Sequence, residues 1–419
     1  MRRDLIAALL LSFGTVLGLR AELLPATYRD EVVAYSLALK LASTASEAAA
    51  EGVSLARVAM LPELLATGSY IYRLRQYEGQ KDWSMALEPR LVQTIYGGGV
   101  VRADIDKAEI SSEIALCDEA FTLLEVAYAA DYAYWNLWAM ERLRGAMGQY
   151  VEIIKSQTEA IERRFEEGYT SKGDLLMMQS RLSEAEYEFI SAEQSQLTSL
   201  HNLNILRGVS PEFAVSLVDV VPDSLFVPQR VELAEVMEQR PDYAASLLNC
   251  ELARVTTQAT RGAYNPQLKG GATGGWRTHT PNTTGKTYID GTLYVELSMP
   301  IYHFGERRKA TAISRLSERT KQIDSELLRD EIAKDESNAW VSIVESKAQM
   351  SAATRSLNIA SENLQISSYS YNEGLVSIVD LMAAQISWIQ NYTNAITAEY
   401  DHQIALSAYR RVVGDLETK

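Results

Sequence analysis

The sequence predicts a mostly α-helical chain with a β-barrel portion, arranged as two tandem repeats that each hold a β-hairpin and a long helical hairpin. Three observations support this: segments that recur at a fixed spacing, long tracts almost free of proline and glycine, and runs of alternating apolar and polar residues. The recurring pairs are 95–102 with 301–308 and 167–179 with 373–385, both 206 positions apart, and 61–63 with 265–267, 204 positions apart. A shift that stays this constant indicates a duplicated architectural unit.

The N-terminal segment, residues 1–21, has the pattern of a secretory signal peptide. Arg2 and Arg3 precede a short apolar run from Leu5 to Gly18, and Ala21 supplies a small residue after it. A membrane span needs about 20 apolar residues, so we expect cleavage rather than anchoring. An N-terminal membrane anchor is the alternative interpretation. No later segment predicts a transmembrane helix.

Four alternating runs predict β-strands at 62–77, 82–96, 266–279 and 287–302. The last run is the clearest, because from Ile289 onward every second residue is apolar or glycine. Polar turns between the members of each pair predict two hairpins, one per repeat. Each run is at least as long as the roughly 9 to 11 residues that a tilted strand needs to cross a bilayer.

Two long tracts, 90–210 and 301–419, contain no proline, and glycine is scarce within them. Because these two residues are the strongest helix breakers, tracts rich in Ala, Glu, Ser, Leu and Ile predict long helices. The stretch from Glu306 to Glu373 would extend roughly 100 Å as one helix. Helices of this length need a partner along their whole course, so we expect coiled-coil-like pairs or bundles.

The same stop-and-start signal interrupts each tract. Gly168 and Gly374 stand where a helix C-terminus can turn left-handed, and each is followed by a serine and an aspartate three residues apart. These pairs, which form the start of a capping box, are Ser171 with Asp174 and Ser377 with Asp380. Each repeat is therefore predicted to hold a helical hairpin with a tight turn. One glycine, Gly168 or Gly374, caps the end of the first helix of the hairpin, and one serine, Ser171 or Ser377, caps the start of the second.

Composition excludes several classes of protein. A formal net charge of −15 offers no basic face for phosphates, so no nucleic acid partner is expected. The two cysteines, Cys117 and Cys250, provide neither a disulfide framework nor a zinc spacing. The four histidines are scattered, and no phosphate loop or nucleophile elbow occurs. We therefore expect no enzyme activity, no cofactor and no metal site.

Two hairpins alone cannot lie in lipid. Each unpaired edge amide there costs several kcal/mol, and only a closed barrel removes the edges. Outer-membrane barrels made from one chain need about eight strands or more, whereas four are predicted here. If the strands face lipid, several chains must each contribute four strands to one barrel. A soluble sandwich, or a small sheet that caps a helical bundle, is the alternative.

Several motifs resemble the TolC-type outer-membrane efflux protein family. They are Ala234, Met237, Arg240-Pro241-Asp242, Ala244-Ala245, Ala253, Ala259, Tyr264-Asn265-Pro266-Gln267-Leu268, Phe304-Gly305, and Tyr371-Asn372-Glu373-Gly374 with Asp380, Leu381 and Gln385. The resemblance implies a homotrimer in the bacterial outer membrane, with a 12-stranded β-barrel continued by a long α-helical barrel in the periplasm. It places the repeats at 22–207 and 234–419, around an equatorial connecting region at 208–233.

The resemblance also implies partners. A periplasmic adaptor and an inner-membrane transporter would dock at the hairpin turns, so that the chain acts as a passive exit duct of a tripartite efflux or type I secretion system. The residues expected to contact the adaptor at this exposed tip are Tyr169, Thr170, Leu375 and Val376. A soluble periplasmic coiled-coil adaptor or structural protein is the alternative function.

The resemblance suggests a periplasmic gate at the same turns. Asp380 matches an acidic gate position of the family, and Asp174 is its counterpart in the other repeat. Ala383 and Val376 depart from the family pattern, because some members carry a second acid and a base there. Both aspartates also have a plain structural role, since each lies three residues after a helix-starting serine, where it can accept backbone N–H bonds.

Overall fold

The computed structural model describes residues 22–74, 82–218, 227–278 and 288–415. The predicted signal peptide, residues 1–21, lies outside them. In chain order the elements are β1 (Glu22–Leu23), α1 (Pro25–Tyr35), α2 (Leu37–Val58), β2 (Glu63–Tyr72), β3 (Trp83–Tyr96), α3 (Val100–Glu166), α4 (Lys172–Leu206), β4 (Ser216–Leu217), α5 (Leu233–Gln239), α6 (Pro241–Gly262), β5 (Gln267–Arg277), β6 (Tyr288–Ser298), α7 (Glu306–Asn372) and α8 (Ile378–Val413).

The element bounds repeat at the spacings of the sequence motifs. Helices α2 and α6 each have 22 residues, and their first residues, Leu37 and Pro241, are 204 positions apart. Helices α3 and α7 each have 67 residues and begin 206 positions apart, at Val100 and Glu306. Each half of the chain thus has the same succession of short helix, β-hairpin and long helical hairpin.

The chain forms two compact units. The helical unit combines the described residues of Met1–Leu39, Leu123–Gln239 and Ala333–Lys419, and the sheet unit combines those of Lys40–Thr122 and Arg240–Ile332. Each unit takes segments from both predicted repeats. Among the described residues, no helix is long and apolar enough to cross a membrane.

The sheet unit holds an antiparallel sheet of four strands in the order β2-β3-β5-β6. The two hairpins therefore pair with each other through β3 and β5, where Leu91 lies opposite Ala272 and Leu87 opposite Trp276. Strands β2 and β6 are the edges, and within the described ranges each has a partner on one side only. A second, two-residue parallel pairing of β1 with β4 belongs to the helical unit, and the sequence did not predict it.

Three strands end earlier than predicted, and the difference is smallest for β5, which ends at Arg277 instead of 279. β6 ends at Ser298 instead of 302, because Pro300 cannot donate a ladder hydrogen bond, although the alternation continues past it. β2 ends at Tyr72 instead of 77, and after it the Arg73 amide donates one more bond to Asp82 O at 2.6 Å. The remaining predicted strand residues 75–77, 279 and 287 lie outside the described part of the chain.

The helical unit contains both predicted helical hairpins. α3 and α4 run antiparallel, as the bonds Asn136 Nδ2 to Ser199 Oγ (2.9 Å) and Arg181 Nε to Tyr150 Oη (2.7 Å) require. α7 and α8 do the same, with Trp388 Nε1 donating to Ser361 Oγ at 3.1 Å. The long helices bury apolar and aromatic side chains between them, among which are Tyr134, Leu137, Trp138, Ile154, Met178, Leu381 and Trp388. Burial of this shared core is what stabilises helices of this length.

Candidate functional site

The first hairpin turn joins α3 to α4 by a Schellman motif. Gly168 has a φ of 80°, in the left-handed region. The amide of Gly168 donates to Phe165 O at 3.0 Å, and the amide of Tyr169 donates to Arg164 O at 2.8 Å. These bonds satisfy two carbonyls at the end of α3 and reverse the chain within a few residues.

A capping box then starts α4. The Ser171 hydroxyl accepts from the Asp174 amide at 3.1 Å, and the Asp174 carboxylate accepts from the Ser171 amide at 3.4 Å. The same carboxylate also accepts from the Thr170 hydroxyl at 2.8 Å. Asp174 is therefore held in one orientation at the turn.

The second turn, from α7 to α8, has the same construction. Gly374 has a φ of 75°, and the amide of Leu375 donates to Ser370 O at 2.8 Å. At the start of α8 the Asp380 carboxylate accepts from the Ser377 hydroxyl at 2.7 Å and from the Ser377 amide at 3.1 Å. These two hydrogen bonds, the hydroxyl first, hold the pKa of Asp380 below its usual value. The exposed carboxylate is thus ionised at neutral pH.

Arg164 ties the two hairpins together. Its Nη2 donates to Asn372 O at 2.8 Å and its Nη1 lies 3.5 Å from Tyr371 O, at the C-terminal end of α7. A cation at a helix C-terminus meets the negative end of the helix dipole. The guanidinium carbon also lies 5.6 Å from the centre of the Tyr371 ring. Arg164 therefore links the end of α3 to the end of α7.

Tyr371 makes the second link between the hairpins. Its side chain lies beside Thr170, whose hydroxyl donates to Asp174. Burial is the main reason why the pKa of Tyr371 is raised above its usual value, with the negative charge of Asp174 adding to the increase. The phenol therefore stays protonated over the physiological range.

A buried polar layer lies further along the same helices. The Gln385 side chain, on α8, is fully buried and donates to the Gln157 side chain on α3. Gln157 Nε2 lies 3.4 Å from Ser368 Oγ on α7. Three of the four long helices thus meet at one set of polar contacts. Gln179, the repeat counterpart of Gln385, is exposed.

The residues predicted to form the tip lie at its surface to different extents. Tyr169 and Leu375 are exposed, whereas Thr170 and Val376 are half-buried. The structure therefore places two apolar side chains on the outside of the two turns. Neither Arg164 nor the ring of Tyr371 was predicted to take part in the tip. Placing the two hairpins side by side at the repeat spacing would have brought this pair together.

The sheet has one apolar and one polar face. Cross-strand pairs such as Gly68 with Leu87 and Ala272 with Leu293 lie on the apolar face. The other members of this face include Leu64, Tyr70, Met85, Leu91, Trp276, Ile289, Val295 and Leu297, and all of them are exposed. The opposite face carries Thr67, Glu88, Arg90, Thr273, Arg277, Asp290 and Thr292. On this polar face, Arg277 pairs with Glu88. An apolar face this continuous is typical of contact with lipid.

Within the described ranges, no cluster of His, Cys, Asp and Glu is arranged to hold a metal ion. The two cysteines are free and half-buried.

Comparison with known proteins adds relatives over nearly the whole chain. Outer membrane protein TolC from Vibrio cholerae is 23% identical over 390 residues, 88% of this chain and 86% of TolC. Alkaline protease secretion protein AprF from Pseudomonas aeruginosa is 23% identical over 274 residues, 63% of this chain and 56% of AprF. The crystal structure of the Campylobacter jejuni CmeC outer membrane channel has a TM-score of 0.82 at 17% identity, over 93% of this chain and 85% of CmeC. This last likeness shows the fold.

The profile of one family, described as outer membrane efflux protein, matches residues 29–209 and 233–415. The gap between the two segments lies within the connecting region predicted at 208–233. The match covers both halves of the chain. It also agrees with the predicted outer-membrane location and with a channel rather than an enzyme. The chain belongs to the outer membrane efflux protein family.

Proposed function

We propose that this protein is the passive exit duct of a tripartite efflux or type I secretion system, with its strands in the bacterial outer membrane and its helices in the periplasm. The observation that carries the proposal is the four-stranded sheet, which exposes a continuous apolar face and is polar on the other. Lipid would cover the first face and water in the lumen the second. In a soluble periplasmic adaptor this apolar face would be exposed to water, which is unfavourable.

The proposed assembly is a homotrimer. The sheet has two open edges, β2 and β6, and neither has a second partner among the described residues. In lipid these edges must be paired, so β6 of one copy would pair with β2 of the next. Three copies of a four-stranded sheet would supply the twelve strands of a barrel, above the minimum of about eight.

The proposed partners are a periplasmic adaptor and an inner-membrane transporter, which dock at the tip of the helical hairpins. The exposed side chains of Tyr169 and Leu375 provide apolar contacts there, beside the half-buried Thr170 and Val376. The likeness to TolC and to the secretion protein AprF supports an export system of this kind. Energy for transport would come from the inner-membrane partner.

The proposed gate is the pair Asp380 and Asp174, one at each turn. Both carboxylates are held at the turns by capping boxes. When several copies come together, the like charges would meet in a narrow aperture, attract cations and repel anions. Capping and gating are compatible at Asp380, because the hydrogen bonds that position its carboxylate also hold its pKa below the usual value.

Reconstitution tests this function. We expect the purified protein to form trimers by native mass spectrometry and to give stepwise conductance in planar bilayers. Asp380→Asn removes one charge per copy and should lower the preference for potassium over chloride. Glu326→Gln, the same change of charge on α7 far from the turn, should leave the preference unchanged. A lipid-indifferent monomer without conductance would contradict the proposal, and unchanged selectivity in Asp380→Asn would remove this residue from the gate.

A further inference from the structure

The junction between β6 and α7 contains an unusual backbone conformation. Phe304 has a φ of 46°, and no other residue besides glycine has a positive φ in the described ranges. The left-handed region is unfavourable for a residue with a Cβ. The ring is 87% exposed, and its neighbour in the chain is the Tyr302 ring, at 4.6 Å between centroids. No contact within the described part of one copy explains why a bulky residue is held this way.

The corresponding junction of the first repeat, between β3 and α3, has the same left-handed conformation and shows which contact it allows. Gly98 lies two residues before α3, as Phe304 lies two residues before α7, and its φ of 69° is also left-handed. The Gly98 backbone is in close contact with the C-terminal end of α6, since a Cβ placed there would lie 2.4 Å from Gly262 O. Asn265 Nδ2 donates to Gly98 O at 3.0 Å. The left-handed turn thus seats the β3–α3 junction on the end of α6.

The repeat spacing identifies the matching surface for Phe304. Helix α6 corresponds to α2 with a shift of 204 positions, so Gly262 corresponds to Val58 and Asn265 to Leu61. This end of α2 is apolar and uncovered: Val58 is 54% and Leu61 62% exposed, and Leu55 is exposed as well. Among the described residues of one copy, nothing covers Phe304 or this surface.

We propose that Phe304 docks on the apolar C-terminal end of α2 in a second copy of this chain, at Leu55, Val58 and Leu61. This contact between copies corresponds to the contact that Gly98 makes with Gly262 within one copy. Two glycines allow the backbones to meet directly, whereas between copies an aromatic ring fills the space against apolar side chains. This inference rests on the proposed homotrimer and names one anchor of its subunit interface.

The same spacing predicts a consistent register for the strands between copies. Within the chain Leu87 lies opposite Trp276, and Arg90 lies opposite Thr273. Shifted by the repeat spacings, these pairs become Leu293 opposite Tyr72 and Glu296 opposite Ser69 of the next copy. The first pair lies on the apolar face and the second on the polar face. A slip by one residue would exchange the faces, so the shift that places Phe304 on α2 also keeps the sheet two-sided.

Substitution of Phe304 distinguishes a docked ring from an exposed one, because the two predict opposite changes in the strength of trimer association. Phe304→Gly and Phe304→Asn both relieve the left-handed strain, so an uncovered Phe304 predicts an unchanged or more stable trimer. A docked ring predicts the opposite, about tenfold weaker association or more, because an aromatic anchor is lost from the centre of a contact. Trimer fraction against protein concentration in detergent measures the effect. Phe304→Tyr, which keeps the ring, should associate like the wild type.

Cross-linking provides a second readout that does not depend on stability. In a Cys117→Ser, Cys250→Ser background, Val58→Cys combined with Phe304→Cys should give covalent dimers and trimers with a short bismaleimide. Leu41→Cys with Phe304→Cys is the matched control, because Leu41 is 73% exposed on the same helix but lies near its other end. We expect this control to remain uncrosslinked.

The outcomes separate this inference from the proposed function. If the wild type is a trimer but Phe304→Gly associates at least as well and the Val58–Phe304 pair does not cross-link, the docking contact is wrong while the duct stands. A ring that lies in lipid at the membrane surface would give this result. If the wild type is a monomer in detergent and in lipid, the proposed assembly fails and the contact fails with it.

Discussion

Gly98 shows how a single position can fix the junction between a strand and a long helix. Its left-handed φ disfavours any side chain, and the Gly262 carbonyl occupies the space that a Cβ would need. We predict that Gly98→Ala destabilises the fold by about 2–4 kcal/mol, from backbone strain and the displaced helix end together. Thermal unfolding followed by circular dichroism measures this cost.

Gly99 is the matched control for this substitution. Its φ of 92° is also left-handed, but a Cβ there would meet no atom within 4 Å. Gly99→Ala should therefore cost only the conformational term, roughly 1–2 kcal/mol. Equal losses in the two variants would show that the contact with Gly262 has no effect of its own.

The hydrogen bonds between Asp380 and Ser377 predict that the stability of the start of α8 depends on pH. Because the pKa of Asp380 is lowered in the folded state, its cap stabilises the start of α8 above the ordinary aspartate pKa near 3.8 and is lost as the pH falls through the folded value. Ser377→Ala should weaken the helix start by about 1 kcal/mol at pH 7. Its difference from wild type should shrink below about pH 4.

Proteolysis at the second turn, followed by mass spectrometry, measures the effect at pH 7, and carboxyl carbon NMR shifts report the pKa of Asp380. In Ser377→Ala this pKa should rise toward the ordinary aspartate value. An unchanged titration would contradict the assigned hydrogen bonds. Ser370→Ala, a serine outside the capping box near the end of α7, is the control.

At the scale of the elements, the link between the two hairpins depends on Arg164. Arg164→Ala removes a charged hydrogen bond and the favourable charge at the end of α7, together worth roughly 1.5–3 kcal/mol. We predict that the two turns separate more readily, with faster cleavage near residues 167–170 and a larger closed-state conductance. Arg163→Ala, its exposed neighbour on the same helix, should change neither quantity.

The elements were also where sequence reasoning succeeded most. The long helices followed from the absence of proline and glycine, and the turns from the Gly, Ser and Asp spacing, since these signals are local. β6 was predicted too long because residues 299–302 keep the alternation while Pro300 removes a hydrogen bond donor. The hydrogen bond from Arg164 to the end of α7 was missed, because it joins residues more than 200 positions apart in the chain.

At the scale of the whole molecule, the two faces of the sheet predict opposite responses to charge. Leu293→Lys would place an ammonium on the apolar face and should cost about 2–4 kcal/mol if that face meets the middle of the bilayer. Thr292→Lys, on the polar face one position away, should be tolerated. The yield of protein in outer-membrane fractions and urea unfolding in vesicles compare the two.

Equal sensitivity or equal tolerance of the two variants would contradict a sheet that has lipid on one face and water on the other. The sequence could predict which residues share each face, because alternation fixes that. Alternation alone could not predict that β3 pairs with β5, because such pairing depends on packing between distant parts of the chain.

The equal lengths of α3 and α7, 67 residues each, restrict how this chain can change in size. Each residue inserted into one helix would rotate everything beyond it by about 100° and advance it by about 1.5 Å. The turn at its end would then leave its neighbour, and Arg164 would no longer meet the end of α7. Insertions and deletions are therefore expected to arrive as matched pairs, one in each half and of the same number of whole turns.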